Sequence, residues 1–161
     1  MIRRSFFLLL ACSFLALPVR QSFASASIAD KKDLIVQDLS GKTVDIASYT
    51  AQSKKPLLLF FWTSWCPYCP KELKDLNQKQ EELGGKVDLF AINAGESKKT
   101  VERVVSDRKL TARVFTDEEM KAADGFDVLG VPTFVLIDEK GSVLFKDNFF
   151  PEAEIKKITG K

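Results

Sequence analysis

The chain has 161 residues, 45% of them hydrophobic and 13 of them Phe, which is enough for one packed domain and too apolar for a disordered one. The net charge is only +2. The first 26 residues hold three Arg and no acid, leaving 21 basic and 22 acidic residues beyond them, so no basic footprint recommends nucleic acid as a partner. With no His anywhere, His-based zinc and copper sites, Ser-His-Asp catalysis and Cys-His catalysis are excluded.

Residues 1–26 read as a secretory signal peptide. Arg3 and Arg4 make a basic start, Phe6–Val19 an uncharged apolar run of 14 residues, and Ala24-Ser25-Ala26 a small-residue cleavage site before Ser27. That run is shorter than the roughly 17–25 residues of a spanning helix, which favours cleavage over a retained anchor. Leu9-Leu10-Ala11-Cys12 partly resembles a lipoprotein box, with Cys12 as the lipidated residue, but the apolar run continues past it. The expectation is an exported chain in the periplasm or an equivalent extracytoplasmic space. Membrane contact follows only if the signal is retained, with the domain then facing outside. Residues 27–161 form the single remaining domain.

Ser27–Asp33 carries no pattern and is expected to be a mobile lead-in. Leu34-Ile35-Val36 and Thr43–Ile46 read as short strands about a turn at Ser40-Gly41-Lys42. Leu57–Trp62, preceded by Pro56, is a short aromatic-rich run that reads as a buried strand. A helix is expected over Pro67–Leu83, burying Cys69, Leu73, Leu76 and Leu83 on one stripe and ending at Gly84-Gly85. Val87–Asn93 is the next strand. Ser97 is placed to cap a helix over Lys98–Lys109, with Val101, Val104 and Val105 inward. Arg113–Phe115 is a short strand, and Thr116-Asp117-Glu118-Glu119 has the spacing of a capping box for a further short helix. Phe134–Ile137 and Ser142–Lys146 flank a turn at Asp138–Gly141, and Pro151–Ile158 is a final helix. The order predicts an α/β fold, a mixed sheet with helices on both faces.

The chemistry concentrates in one stretch, Phe60-Phe61-Trp62-Thr63-Ser64-Trp65-Cys66-Pro67-Tyr68-Cys69-Pro70-Lys71-Glu72. Cys66 falls at a strand-to-helix junction, where free backbone N–H groups and the helix dipole favour an anion. There a thiol pKa of about 8.5 drops to roughly 3.5–7.5. Cys69 lies three residues on, and with Cys12 in the signal the two form the only pair in the mature chain. A disulfide across so short a loop removes little unfolded-chain entropy, so working redox chemistry explains it better than stapling. A lone Cys-x-x-Cys also lacks the further ligands that a zinc site needs, so no metal site is expected.

These residues resemble the active site of exported thioredoxin-like proteins of the TlpA/ResA type. Gly130-Val131-Pro132-Thr133-Phe134-Val135-Leu136-Ile137-Asp138 is similar to their second signature, in which a cis-proline faces the dithiol. The 63-residue gap from Cys69 to Pro132 and the segment Asp38-Leu39-Ser40-Gly41-Lys42 also resemble this subgroup, over about residues 33–160. The resemblance implies a thioredoxin fold with an N-terminal hairpin and one extra strand–helix insertion. It implies a thiol–disulfide oxidoreductase, a reductase serving cytochrome c maturation, with no cofactor beyond the dithiol. Implied partners are disulfide-containing exported proteins, apocytochrome c among them, and a membrane thiol-reductant donor.

By the same resemblance Cys66 attacks, Cys69 resolves, and Glu72 exchanges protons with the resolving thiol. Trp65, Pro67, Tyr68, Val131 and Pro132 are the expected substrate contacts, with Val131 backbone offered to an extended segment. Two positions and one dipeptide set the chain apart from relatives. Phe60 stands where cytosolic thioredoxins carry a buried Asp, Lys74 where many relatives have a helix-kinking proline, and Pro67-Tyr68 is the glutaredoxin dipeptide.

Two other functions fit parts of the sequence. Thr63-Ser64-Trp65-Cys66 matches a peroxiredoxin-like Thr-x-x-Cys, which suggests a thiol peroxidase, although Leu59 replaces the proline expected before it. A non-enzymatic metal- or haem-handling chaperone would use the dithiol only as a ligand, and the lack of His and of Met near the site weighs against it.

Overall fold

A computed structural model describes residues 27–160; the signal-peptide reading of residues 1–26 lies outside them. The lead-in is not loose. Ser27 bridges Ser142, Ile28 is buried, and Ile28–Asp30 forms a single 3-10 turn capped by the Ser27 hydroxyl. Burial of one isoleucine anchors what the local pattern left without structure.

Strands β1 (Ile35–Asp38) and β2 (Thr43–Asp45) form the expected hairpin. The Asp38 carboxylate accepts hydrogen bonds from the Ser40 and Lys42 N–H groups, and Gly41 takes the left-handed conformation the turn requires (φ 91°). The strand expected through Ile46 stops at Asp45. The Asp45 carboxylate accepts from Ser48 N–H and starts helix α1 (Ile46–Ser53), an element hidden by its weak apolar stripe.

The remaining elements are β3 (Leu57–Trp62), α2 (Cys69–Leu83), β4 (Asp88–Ala94), α3 (Lys98–Arg108), β5 (Arg113–Asp117), α4 (Lys121–Gly125), β6 (Thr133–Ile137), β7 (Val143–Asp147) and α5 (Glu152–Thr159). They build one seven-stranded sheet of order β2-β1-β5-β4-β3-β6-β7. Strands β3, β4 and β5 are parallel and every other pairing is antiparallel. This is the thioredoxin-like arrangement, with the hairpin β1–β2 at one edge of the sheet.

All six residues of β3 are fully buried because both faces of the strand are covered. Leu58, Phe60 and Trp62 pack with Leu73, Leu76, Val101 and Ile155 of α2, α3 and α5. Leu57, Leu59 and Phe61 pack with Ile46, Ala122 and Ala123 of α1 and α4. Phe60 stacks on Phe134 of β6 at 4.7 Å, so an aromatic pair occupies the site where a cytosolic thioredoxin buries a charge.

Two expected helix starts move, and a third keeps its place but not its expected cap. Helix α2 begins at Cys69 rather than Pro67, with Pro70 in the first turn where its missing N–H costs nothing. Thr116 and Asp117 do not open a capping box. Both lie in β5, and the Asp117 carboxylate reaches forward to accept from Ala123 N–H in α4. Ser97 sits at the start of α3 but makes no capping bond, and Lys98 N–H is held instead by the Glu118 carboxylate at 2.7 Å. Tertiary proximity outranks the local signal at α3 and α4.

Candidate active site

The C-terminal end of β3 delivers the chain through Thr63-Ser64-Trp65 to Cys66, and α2 starts three residues later. Cys66 and Cys69 are joined as a disulfide with Cα atoms 5.4 Å apart. The backbone N–H of Cys69 donates to Cys66 Sγ at 3.1 Å. This N–H belongs to the first residue of α2, where no carbonyl within the helix can receive it, so the sulfur does what a capping oxygen would. In the reduced protein the same donor faces a thiolate and favours it over the thiol. Placement of the helix start at Cys69 therefore strengthens the argument for Cys66 as the nucleophile.

Exposure separates the two sulfurs' neighbours. Cys69 is completely buried and Cys66 is 2% exposed, yet Trp65 and Tyr68 beside them are 71% and 74% exposed. Only the rim of the site is open, and it is aromatic. Across from the dithiol, the Val131–Pro132 peptide bond is cis, as the resemblance implied. The Val131 carbonyl oxygen lies 3.6 Å from Cys66 Sγ. Val131 stands just beyond the last β3–β6 pair, Phe61 with Thr133, at the end of the ladder.

A groove of about 1000 Å³ runs between these walls. Pro67, Tyr68 and Glu72 line one side; Leu129, Val131 and Pro132 line the other. Thus five of the sequence-predicted residues share one groove, while Trp65 stands exposed outside its lining. Leu129, which the sequence reading did not single out, is fully exposed at this edge. Its loop is held from behind: Lys146 of β7 donates to the carbonyls of Phe126 and Asp127, both at 3.2 Å. Lys31 adds a bond to the Gly125 carbonyl and lies 3.7 Å from the Asp127 carboxylate.

Glu72 is half-buried, and its carboxylate is paired with Lys79 at 2.9 Å. A second carboxylate, Glu96, went unremarked in the sequence. It lies between β4 and α3 and accepts from Ser64 N–H at 2.6 Å, from the Ser64 hydroxyl, and from Asn93 Nδ2 at 2.7 Å. Burial pushes the Glu96 carboxyl up, but the bonds from Asn93 and Ser64, helped by the charge of Arg103, outweigh it and hold the group below its ordinary value. The available signal was Asn93-Ala94-Gly95-Glu96, polar residues closing an apolar strand. Nearby, burial pushes the Asp117 carboxyl above its ordinary value against the N–H groups of Ala123, Ala122 and Lys121.

Known proteins are similar to this chain in sequence and fold. The sequence pattern of the AhpC/TSA family matches residues 29–146. The thiol-disulfide oxidoreductase ResA of Bacillus cereus is 30% identical over 155 residues, covering 89% of this chain and 84% of that protein. ResA of Bacillus subtilis is 29% identical over 117 residues, covering 72% of this chain and 64% of that relative. Among solved structures, a secreted disulfide oxidoreductase of Mycobacterium tuberculosis homologous to E. coli DsbE is 26% identical with a TM-score of 0.62, covering 80% of this chain and 92% of that one. The Cys66–Cys69 disulfide and the cis-proline loop facing it both lie within the matched residues. The chain belongs to the AhpC/TSA family and, within it, to the thiol–disulfide oxidoreductases of the ResA type.

Proposed function

We propose that this protein is an extracytoplasmic thiol–disulfide reductase that opens disulfides of exported proteins. The observation that carries the reading is the Cys66 sulfur, bonded by the first N–H of α2 and facing Val131, a residue that lines an open groove together with exposed Tyr68. The Cys66 thiolate attacks a substrate disulfide, forms a mixed disulfide and releases one substrate thiolate. Cys69, deprotonated with Glu72 as the proton acceptor, then attacks Cys66 Sγ and releases the second substrate thiol. Two electrons pass to the substrate and the protein is left as its Cys66–Cys69 disulfide. A membrane thiol-reductant donor returns the dithiol.

Apocytochrome c, whose haem-attachment cysteines must be reduced, is the proposed substrate, with a place in cytochrome c maturation. Export rests on the signal-like residues 1–26 and is supported by the secreted Mycobacterium relative. Pro67, Tyr68, Val131 and Pro132 bind the substrate segment, and exposed Trp65 supplies apolar contact beside them.

The test is a trap. In a Cys69→Ser variant the mixed disulfide cannot be resolved, so reductant-sensitive covalent complexes accumulate through Cys66, while Cys66→Ser accumulates few. Acid quenching protonates thiolates and preserves the complexes for mass spectrometry. Equal capture by the two variants would overturn the division of labour. An equilibrium potential near the oxidising end of the fold's range, about −120 mV rather than about −270 mV, would overturn the reductive direction.

A further inference from the structure

We propose that Glu96 is a positioning residue for the dithiol: its carboxylate ties the loop carrying Trp65 and Cys66 to the end of β4 and sets a fixed negative charge beside that loop. This assignment rests on the exchange reaction proposed above. Three donors converge on the two oxygens. Oε2 accepts from Ser64 N–H and from Asn93 Nδ2, and Oε1 from the Ser64 hydroxyl, all within 2.5–2.7 Å. An ionised carboxylate is the side chain that takes three donors with no proton of its own, and such charge-assisted bonds are about twice as strong as neutral ones.

The base of the clamp is rigid. Asn93 is fully buried in β4, paired with Trp62 on one side and Thr116 on the other. Gly95, between Asn93 and Glu96, has φ 78° and donates its N–H to the Asp117 carbonyl at 2.9 Å. A side chain at Gly95 would press on the Met120 sulfur at 3.2 Å, so the turn that aims Glu96 admits little else. Because the Asn93 amide nitrogen faces Glu96, its Oδ1 points the other way. Among the described residues, neither Asn93 Oδ1 nor Trp62 Nε1 meets a hydrogen-bond partner. Glu96 is what orients this buried amide beneath the loop.

The other end of the clamp is the reacting segment. Ser64 precedes Cys66 by two residues, and the next bond along the loop, Cys69 N–H to Cys66 Sγ, ends on the reacting sulfur itself. That bond must change as the sulfur changes partner, whereas the Ser64–Glu96 bonds need not. The anchored point is therefore Ser64. Among charged groups, Arg103 of α3 acts on Glu96 and favours its ionised form.

The experiment compares Glu96→Gln, Glu96→Asp and Ser64→Ala with the wild-type protein. Two readouts are the rate of reduction of insulin disulfides and the equilibrium of the dithiol with glutathione. Glu96→Gln places an amide N–H₂ against at least one donor and removes the charge. The expected result is a rate reduced about tenfold, since an ångström of misplacement can cost a hundredfold. The equilibrium should also move about threefold or more toward the dithiol, because loss of a neighbouring anion favours the Cys66 thiolate. Glu96→Asp keeps the charge but withdraws it by one methylene, so it loses rate while its equilibrium stays within about twofold. Ser64→Ala loses one donor and a smaller part of the rate.

Rates and equilibrium of Glu96→Gln both within twofold of wild type would overturn the assignment, even if its unfolding midpoint fell. Should Glu96→Gln fail to fold, unchanged rates in both Glu96→Asp and Ser64→Ala overturn it equally. A wild-type protein that exchanges no disulfide with glutathione overturns the proposed function and this assignment with it. Wild-type exchange matched by every variant overturns the assignment alone.

Discussion

Lys79 Nζ sits 2.9 Å from the Glu72 carboxylate, seven residues away on the same face of α2, and 4.1 Å from the centroid of the Phe150 ring. About a fifth of each side chain is exposed, so the pair is shielded from solvent without being desolvated. Phe150 in turn meets Phe134 edge-on at 5.7 Å. One cation thus joins the groove carboxylate of α2 to the aromatic layer over β6.

Glu72 is expected to move protons for the resolving thiol, because it lines the groove and follows Cys69 by one helical turn. Glu72→Gln should slow disulfide exchange by on the order of 10²-fold and change the shape of its pH–rate profile. Circular dichroism should show the fold intact. A variant with the wild-type profile would leave Glu72 as no more than the partner of Lys79.

The Lys79 contacts make a separate stability prediction. Lys79→Ala removes an ion pair and a cation–π contact and should lower the unfolding free energy by about 1–2 kcal/mol. In a double-mutant cycle with Glu72→Gln, the coupling should come to about 0.5–1 kcal/mol. Strictly additive losses in urea titrations would mean that the ion pair itself contributes nothing.

Asp117 should give stability a pH dependence of its own. Burial holds its carboxyl above the ordinary value in the folded chain. A raised native pKa means that the folded state keeps the proton longer than the unfolded state, whose pKa is about 3.9. Its contribution is fully present below the unfolded pKa and declines as pH rises through the native one. Asp117→Asn cannot ionise and lacks that decline. Urea unfolding at several pH values from 4 to 7 should show wild type losing stability relative to the variant as pH rises. Parallel curves would remove Asp117 from the linkage.

Two glycines near the groove wall should behave oppositely. A Cβ at Gly125 would lie 2.5 Å from Cδ2 of Leu34, the buried residue just before β1, whereas a Cβ at Gly130 would meet nothing within 4 Å. Gly125→Ala should therefore cost about 1–3 kcal/mol by overpacking. Gly130→Ala should fall within about 0.5 kcal/mol of wild type. Thermal unfolding separates the two, and equal melting temperatures would show that Leu34 gives way freely.

Residues close in sequence decided much of this protein in advance. The run Leu57–Trp62 is a strand because it is short, apolar and aromatic, and Leu73, Leu76 and Leu83 make α2 amphipathic whatever surrounds them. The dithiol at their junction needed no tertiary information, since its chemistry depends on a strand end followed by a helix start. Side-chain period and turn residues are local properties and can be read locally.

Only the folded chain could show the rest. Glu96 meets Ser64 across 32 residues of sequence because β3 and β4 pair in parallel and bring their C-terminal ends together. The groove wall opposite Cys66 depends on the antiparallel return of β6 and on Lys146 of β7 holding the loop that contains Leu129. Asp117 looked like part of a local cap because its neighbours in sequence permitted one; the pairing of β5 with β4 turned it into a buried strand-end carboxylate. Strand order determines which distant donors meet a given carboxylate, and strand order arises from burying both faces of one sheet, not from any single segment.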